Sequence, residues 1–495
     1  MADLSKLTPL QRFPRLRSAF LALAVSCLAA TTAGCAPALA SEQGLTGLSA
    51  RDRQIGAESH DPIVQEFGGA ISGPLASYVR QVGLKVAMAS VPGSRAEDWT
   101  VTLLNSPVPN AMATPGGYLY ITRGLLAMIN NEAELASVLG HEAGHIAARH
   151  SNKRNSRATI GALGSIAASI LLGGDAANLV NTGASALIAG YSRNQEREAD
   201  TLGMGYALRA GYDPNAAASM LAALDRVGAV EGRDSFEQRG AVSIFSTHPV
   251  TAERVQRVAA QARATGRSGA TNSAAFLSAI DGMTFGEAPE QGIINGTSFR
   301  HASLRLGFDA PAGFTLQNSP QAVTGQARDG SQFVFSGANA QPGQPLRNIV
   351  DTVWTQTAGQ LPQISYAERR ISDFNAAVST ARLRNNRGQS LDIGVNAFRN
   401  PQGNQVYILR TVAPAGRGGQ FDSMVNSFRH LSDSEAKQAA SALRINVVTV
   451  TSSDTAETLA RRMAPPYNRV ESFLALNGIA QDGVRTGERV KLIVR

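Results

Sequence analysis

Two histidines four residues apart bracket a glutamate in the run His141-Glu142-Ala143-Gly144-His145. On an α-helix such a pair lies on one face, about one turn apart, so both imidazoles can reach a single metal ion. Glu142 then stands beside that ion, placed to take a proton from an attacking water. The pattern predicts a zinc hydrolase site if the chain supplies a third ligand. The competing reading is a helix with two histidines satisfied in a core.

A catalytic zinc takes three protein ligands and keeps one position open. The stretch Tyr191 to Asp200 (YSRNQEREAD) starts a helix that continues through Leu202, Met204, Tyr206, Ala207 and Leu208 to the stop at Gly211-Tyr212-Asp213-Pro214. Glu196 and Asp200 share a face of it, whereas Glu198 lies roughly 200° from Glu196 and points elsewhere. Glu196 fits as the third ligand, and Asp200 as an acceptor holding a ligand histidine in place. His150 is a rival. The metzincin spacing puts glycine at 148 and histidine at 151, where this chain has Ala148 and Ser151. On a continuous helix His150 points about 140° from His145, which assigns it a structural role.

The elements that must position these groups can be read around them. Gly68-Gly69 marks a turn, Leu75 to Val91 has helical spacing, and Trp99 to Leu104 alternates as a strand. Asn110 to Gly117 leads into a strand at Tyr118 to Thr122. Pro115 and the glycine pair after it suit an edge, which can take an extended peptide by strand addition; the plain alternative is an ordinary hairpin. Asn131-Glu132-Ala133-Glu134 opens the helix of the two histidines with a capping-box-like pattern, and Leu135, Val138, Leu139 and Ile146 give it an apolar face. The uncharged runs 158–174 and 184–190 are broken by glycines and by Asp175. They predict buried or flap-like helices over the site, with membrane contact as the alternative.

HEAGH, the YSRNQEREAD segment and Ser246-Thr247-His248-Pro249, in that order, resemble the zinc metallopeptidases that include HtpX, CAAX prenyl protease and the BepA-type proteases. The NAMATPGG stretch (residues 110–117) is similar to that family's edge strand. The resemblance covers about residues 45–265. It implies a gluzincin fold with zinc on His141, His145 and Glu196, Glu142 as general base, and Asp200 supporting the site. It also implies that His248 lies near the metal, filling the open position or stabilising the reacting oxyanion. Otherwise His248 is a helix-start residue before an N1-type proline, Pro249. Arg193 is a second candidate for the oxyanion, or else a charge-pairing residue.

The 495 residues are too many for one ordinary domain. Net charge is +8, of which the first 34 residues hold +3 (Lys6, Arg12, Arg15 and Arg17 against Asp3). The rest is mildly basic, with no Lys/Arg block that suggests nucleic-acid binding. Residues 1–34 have an export-signal pattern: a basic start, then the uncharged run Ser18 to Ala33. Thr32-Ala33-Gly34-Cys35 resembles a lipobox that would lipidate Cys35 and tether the protein to the outer membrane as a periplasmic lipoprotein, whereas Ala38-Leu39-Ala40 fits ordinary signal cleavage. The two cysteines, Cys27 and Cys35, leave the body without an intramolecular disulfide, so its metal site must use histidines and carboxylates.

The expected architecture is a multidomain α+β chain. A mainly α-helical zincin domain with a small edge-stranded sheet spans 45–270, and a β-rich α+β domain spans 300–432. In the latter, Phe314 to Leu316, Phe333 to Phe335 and Val406 to Leu409 are strands and Phe421 to Phe428 a helix. Residues 446–495 resemble a LysM module, implying βααβ order and peptidoglycan contact; Ser452-Ser453-Asp454 departs from its usual start, so a purely structural module is the alternative. The expected activity is an exported zinc endopeptidase, one zinc per chain, cutting misfolded or misassembled envelope proteins. The competing function is a non-catalytic envelope assembly factor, against which the intact Glu142 argues.

Overall fold

The structure, a computed structural model, describes residues 48–150, 191–231, 243–338, 340–385, 388–400, 405–479 and 483–495. The expected signal at 1–34, the Cys35 and Ala38–Ala40 cleavage sites and the apolar runs 158–174 and 184–190 lie outside the described residues. No helix among the described residues is long and apolar enough to cross a membrane.

The first part is helical. It contains α1 (Ala50–Glu66), α2 (Pro74–Ser90), α3 (Arg123–Met128), α4 (Glu132–Ala147), α5 (Arg193–Arg209), α6 (Ala216–Glu231), a one-turn α7 (Ile244–Thr247), α8 (Ala252–Ala264) and α9 (Ser273–Ile280). Sequence patterning gave no sign of α1, whose 41–60 stretch reads as merely polar. A capping box between Ser49 and Asp52 starts it, and it buries only Gly56, Ser59 and Ile63 besides Asp52. A three-stranded sheet is ordered β1 (Thr100–Leu104), β3 (Tyr118–Thr122), β2 (Ala111–Thr114). The terminal strands are therefore β1 and β2, and Tyr118–Thr122 is the central strand, parallel to β1 and antiparallel to β2. Gly116 and Gly117 make the β2–β3 turn at φ +86° and +91°, and a Cβ on Gly117 would stand 2.3 Å from the Asp98 carbonyl. Only glycine meets both demands.

The second part is β-rich: β4 (Thr284–Phe285), β5 (Ile293–Asn295), β6 (Ser298–His301), β7 (Leu306–Asp309), β8 (Phe314–Asn318), β9 (Ala322–Ala327), β10 (Gln332–Ala338), β11 (Ser365–Ile371), β12 (Phe374–Arg384), β13 (Ser390–Arg399), β14 (Val406–Pro414) and β15 (Arg429–His430). Seven of these form an antiparallel sheet, β11-β12-β13-β14-β10-β9-β8, and four form another, β15-β7-β6-β5. The pleat sends alternate residues to opposite cores. Phe333, Phe335 and Leu409 pack with Phe308 and Phe428 on one face. Val334, Ile408 and Val395 pack on the other under α10 (Leu346–Ala358), through Ile349 and Trp354. The closing helix is shorter than the expected 421–428: α11 covers Asp422–Asn426, and α12 (Asp433–Ala439) follows it.

Residues 443–494 do run βααβ: β16 (Leu443–Thr449), α13 (Ala456–Arg461), α14 (Val470–Asn477) and β17 (Arg489–Val494), with β16 and β17 antiparallel and β4 added on the far side of β16. They are not a separate bead. Ile445, Leu459, Phe473 and Leu492 share one hydrophobic core with Val86, Leu139, Ala207, Leu224 and Phe276 of the helical part. Lys491 is fully buried there, donating to the Ala127 and Ile129 carbonyls at 2.8 Å each. The helical part also runs past 270: α9 buries Phe276, Leu277 and Ile280 in that core.

Candidate metal centre

The side chains of α4 are buried from Glu132 to Ile146, so its sequence must fit neighbours on every face. Asn131 caps it by accepting from the Glu134 amide at 2.9 Å, and Glu134 reaches back one residue further than a capping box, to the Asn130 amide at 2.7 Å. Glu132, in the first turn, accepts from Tyr78, Tyr212 and Asn272. Gly140 and Gly144 on α4 face Ala199 and Gly203 on α5. A Cβ on Gly140 would lie 2.8 Å from the Gly203 carbonyl, and one on Gly203 would lie 2.6 Å from the His141 nitrogen. These small residues let the two backbones meet, which carries Glu196 and Asp200 to the histidines.

Four donors converge. His141 Nε2 and His145 Nε2 are 3.1 Å apart, and Glu196 carboxylate oxygens lie 3.5 Å from the first and 3.4 Å from the second. His248 Nδ1 completes the group, 3.3 Å from His141 Nε2 and 2.8 Å from Glu196 Oε1. Among the described residues these four are the set able to hold one ion. Ligands about 2.0–2.1 Å from a tetrahedral zinc stand about 3.3 Å from one another, so the spacing fits that ion. Glu142, 1% exposed, sits beside the group with Oε1 3.6 Å from His248 Nε2, while its Oε2 is buried without a protein partner.

His248 is not a helix-start residue. It caps the C-terminal end of α7, and the next helix starts only at Ala252, after the N-cap Thr251. Its backbone amide donates to the Ile244 carbonyl, and the Ile244 amide donates to Pro109 O at 2.8 Å, tying this turn to the segment leading into β2.

A second layer holds the donors. Asp200 Oδ1 lies 3.0 Å from His141 Nδ1 and is gripped by Arg254, with Nη2 at 2.7 Å on Oδ1 and Nε at 3.0 Å on Oδ2. Arg257 adds a contact to Oδ2, and Arg254 Nη2 also reaches Glu196 at 2.9 Å. On the other side His145 Nδ1 meets His150 Nδ1 at 2.8 Å, and His150 Nε2 meets Glu198 at 3.2 Å. His150 faces inward because α4 ends at Ala147 and Arg149 turns the chain at φ 54°. A continuous helix would have aimed it away. Glu198 points away from the donors, as its helical phase requires. Tyr191 stacks on the His145 ring, centroids 3.6 Å apart. Arg193 is solvent-exposed at the first position of α5.

Sequence reasoning missed Arg254 and Arg257. The signal was available: Arg254, Val258 and Ala262 form the buried stripe of α8, and a charge at a core-phase position calls for a buried partner.

The electrostatics follow from this crowding. Burial disfavours a charged His141, but the Glu196 and Asp200 carboxylates outweigh it and push its pKa up to about 10. Burial holds His145 well below the usual imidazole value. Burial also raises the Glu142 carboxyl, against the pull of His248 and His141. It works to raise Glu196 and Asp200 too, but the surrounding histidines, and for Asp200 also Arg254, keep both far below the carboxylate range.

A helix bearing HEAGH, crossed by a second helix that brings a glutamate to both histidines, defines the gluzincin class of metallopeptidase domain. Residues 75–262 match the family model of Peptidase family M48, and this stretch is an M48 peptidase domain. The chain is 32% identical over 213 residues to the mitochondrial metalloendopeptidase OMA1 of Schizosaccharomyces pombe, covering 42% of this chain and 60% of that protein. It is 28% identical over 240 residues to the beta-barrel assembly-enhancing protease of Escherichia coli O157:H7, covering 46% of this chain and 47% of that protein. The chain thus spans about half to three-fifths of the length of these relatives.

Proposed function

We propose that this protein is an exported zinc metalloendopeptidase acting on polypeptides of the cell envelope. The observation that carries the reading is the convergence of His141, His145, Glu196 and His248 beside a buried Glu142 with one unpartnered oxygen. His141, His145 and Glu196 would hold the zinc, and Asp200 would orient His141 through Nδ1. Zinc, when bound, polarises the scissile carbonyl and acidifies water. Glu142 removes the proton of the attacking water and passes it to the leaving amine. The substrate strand lies along β2, a terminal strand of the small sheet. His248 lies among the donors and would fill the position that water or substrate takes. Once displaced, His248 donates to the developing oxyanion, a task that the exposed Arg193 does not share.

The envelope assignment is supported by the signal pattern at 1–34 and by the similarity to a beta-barrel assembly-enhancing protease of E. coli. The same reading places the protein in the periplasm, tethered at Cys35, with 446–495 contacting peptidoglycan. Palmitate labelling of wild type against Cys35→Ala tests the tether, and sedimentation with purified peptidoglycan tests the module.

The deciding experiment is Glu142→Gln in the full chain. The variant should keep one zinc and lose roughly 10²–10⁴-fold in proteolysis. A wild type that takes up no zinc, or a variant as active as wild type, would overturn the assignment.

A further inference from the structure

His145 differs from His141 in what holds its outer nitrogen. Nδ1 of His141 meets a carboxylate, Asp200, at 3.0 Å. Nδ1 of His145 meets a second imidazole, His150 Nδ1, at 2.8 Å. His150 is 2% exposed, and its other nitrogen, Nε2, lies 3.2 Å from Glu198 Oε2. The Glu198 side chain is more than half exposed, so the row runs from the donor group to the surface. Both nitrogens of His150 are engaged, which a ring that only fills space does not require.

The proton positions along this row follow from its inner end. His145 Nε2 faces His141 Nε2 and Glu196, and a nitrogen that binds zinc carries no proton. The His145 proton is then on Nδ1, which donates to His150. His150 Nδ1 must be bare to accept it, so the His150 proton sits on Nε2 and donates to Glu198. Each partner fixes the tautomer of the next. The backbone is bent to build the row. Helix α4 ends at Ala147, and the exposed Arg149 takes φ 54°, a left-handed value that residues with side chains seldom adopt. That one residue returns His150 to His145. Tyr191 covers the face of the His145 ring, with the two planes 16° apart.

We propose that His150 is a positioning residue for the zinc ligand His145: backed by Glu198, it holds the His145 ring in one tautomer and one orientation, with Nε2 aimed at the metal. Tyr191 fixes the plane of the ring and His150 fixes its rotation within that plane. The two ligand histidines are thus backed by different chemistry. Asp200 supplies a charge to His141, whereas His150 supplies direction to His145 without one. Glu142, Glu196 and Asp200 are already buried around the site. A carboxylate in place of His150 would be the fourth, and like charges buried together oppose one another. The only carboxylate of the row, Glu198, stands at its solvent end.

This inference rests on the peptidase reading, and its test separates the two. Zinc affinity is measured in the full chain by competition with a chelator, for His150→Phe, His150→Asn, Glu198→Ala and Glu198→Gln. Phenylalanine keeps the ring and its packing but accepts no hydrogen bond. Asparagine loses the ring but puts Oδ1 near the place of Nδ1, where it accepts. His150→Phe should weaken zinc about 10–100-fold, and His150→Asn should recover most of that loss. Glu198→Ala should weaken zinc about threefold, the scale of an exposed charged contact, and Glu198→Gln should hold it as wild type does. The visible bands of the Co(II)-loaded protein, which report ligand geometry, should move in His150→Phe and stay in place in His150→Asn. A role in packing alone gives the opposite order, tight in His150→Phe and weak in His150→Asn, and overturns the proposal. Equal loss in those two variants overturns it, as does wild-type affinity in all four. Where a His150 variant does not fold, the exposed Glu198 decides: wild-type affinity in Glu198→Ala overturns the proposal. A wild type that takes up no zinc overturns this inference and the peptidase reading together. A wild type that binds zinc and cuts no peptide overturns the peptidase reading alone, because the order of affinities persists.

Discussion

The crossing of α4 and α5 makes Gly203 a position where one methyl group should disable the site from behind. A Cβ there would lie 2.6 Å from the His141 nitrogen and 2.7 Å from both the Gly140 carbonyl carbon and the His141 Cα. Ordinary contact starts at 3.4 Å, so the helices must part by about 0.8 Å (3.4 less 2.6). The atoms in the way are backbone and cannot rotate aside. Overpacking of this kind costs about 1–3 kcal/mol of stability. The functional cost is larger, because the displacement separates Glu196 and Asp200 from the histidines, and metal sites tolerate about 0.2 Å. Gly203→Ala should lose about a hundredfold in kcat/KM, a misplacement effect of about 1 Å, and give up zinc to a chelator at lower concentration. Gly205, two residues on, is the control: a Cβ there meets only Arg209 Nη1, at 3.7 Å. Gly205→Ala should keep zinc and activity and gain about 0.5–1 kcal/mol from helix propensity. The assay is kcat/KM on a quenched peptide, zinc retention against a chelator series, and thermal unfolding of both variants. A Gly203→Ala protein with wild-type zinc affinity and rate would refute the packing argument.

Asp200→Asn should weaken zinc about 10–100-fold and leave Arg254 with Glu196 as its remaining carboxylate; zinc competition at wild-type strength would count against Asp200 as the residue orienting His141. Zinc binding to metal-free protein at pH 7–8 should release about one proton, because His141 keeps its proton there up to about pH 10. Calorimetry in buffers of different ionisation enthalpy measures this, and affinity independent of pH between 6 and 9 would contradict it. For Lys491 the sign runs the other way. The unfolded chain holds the ammonium proton to about pH 10.4, whereas burial in the folded protein lowers the pKa to about 7. Wild type should therefore gain stability relative to Lys491→Met as pH rises from 7 towards 10, by at most about 1.4 kcal/mol per unit. A difference flat across that range, in urea unfolding, would show that burial does not lower the Lys491 pKa.

What could be read beforehand was whatever is set by local period and donor chemistry. His141, Glu142 and His145 are one helical turn; Glu196 and Asp200 are another, and their faces follow from 3.6 residues per turn. The strands at Phe333 and Val406 carry their own alternation or apolar runs. The rest depends on distant partners. Nothing near His150 tells that α4 stops three residues earlier, so its inward ring could not be foreseen. Nothing near Lys491 names the Ala127 and Ile129 carbonyls, 364 and 362 positions away. The edge was assigned to the right hairpin, but which of its strands is central depends on β1, which pairs from outside it. Helix α10 is a different case: Leu346, Ile349, Val350 and Trp354 carry a plain apolar period within a stretch otherwise made of strands.

The shared core has a consequence for the order in which the protein is made. In a chain that emerges N-terminus first, from the ribosome or across a membrane, N-terminal segments can fold first. The β-rich part, β5 to β15, is complete before β16 and β17 have been synthesised. The metal-bearing helix is not, because Ile445, Phe473 and Leu492 are missing from its core and the carbonyls of Ala127 and Ile129, just ahead of α4, still lack Lys491. A half-made chain therefore carries HEAGH without the frame that holds it in register. A copy lacking β16 and β17 should therefore hold zinc poorly.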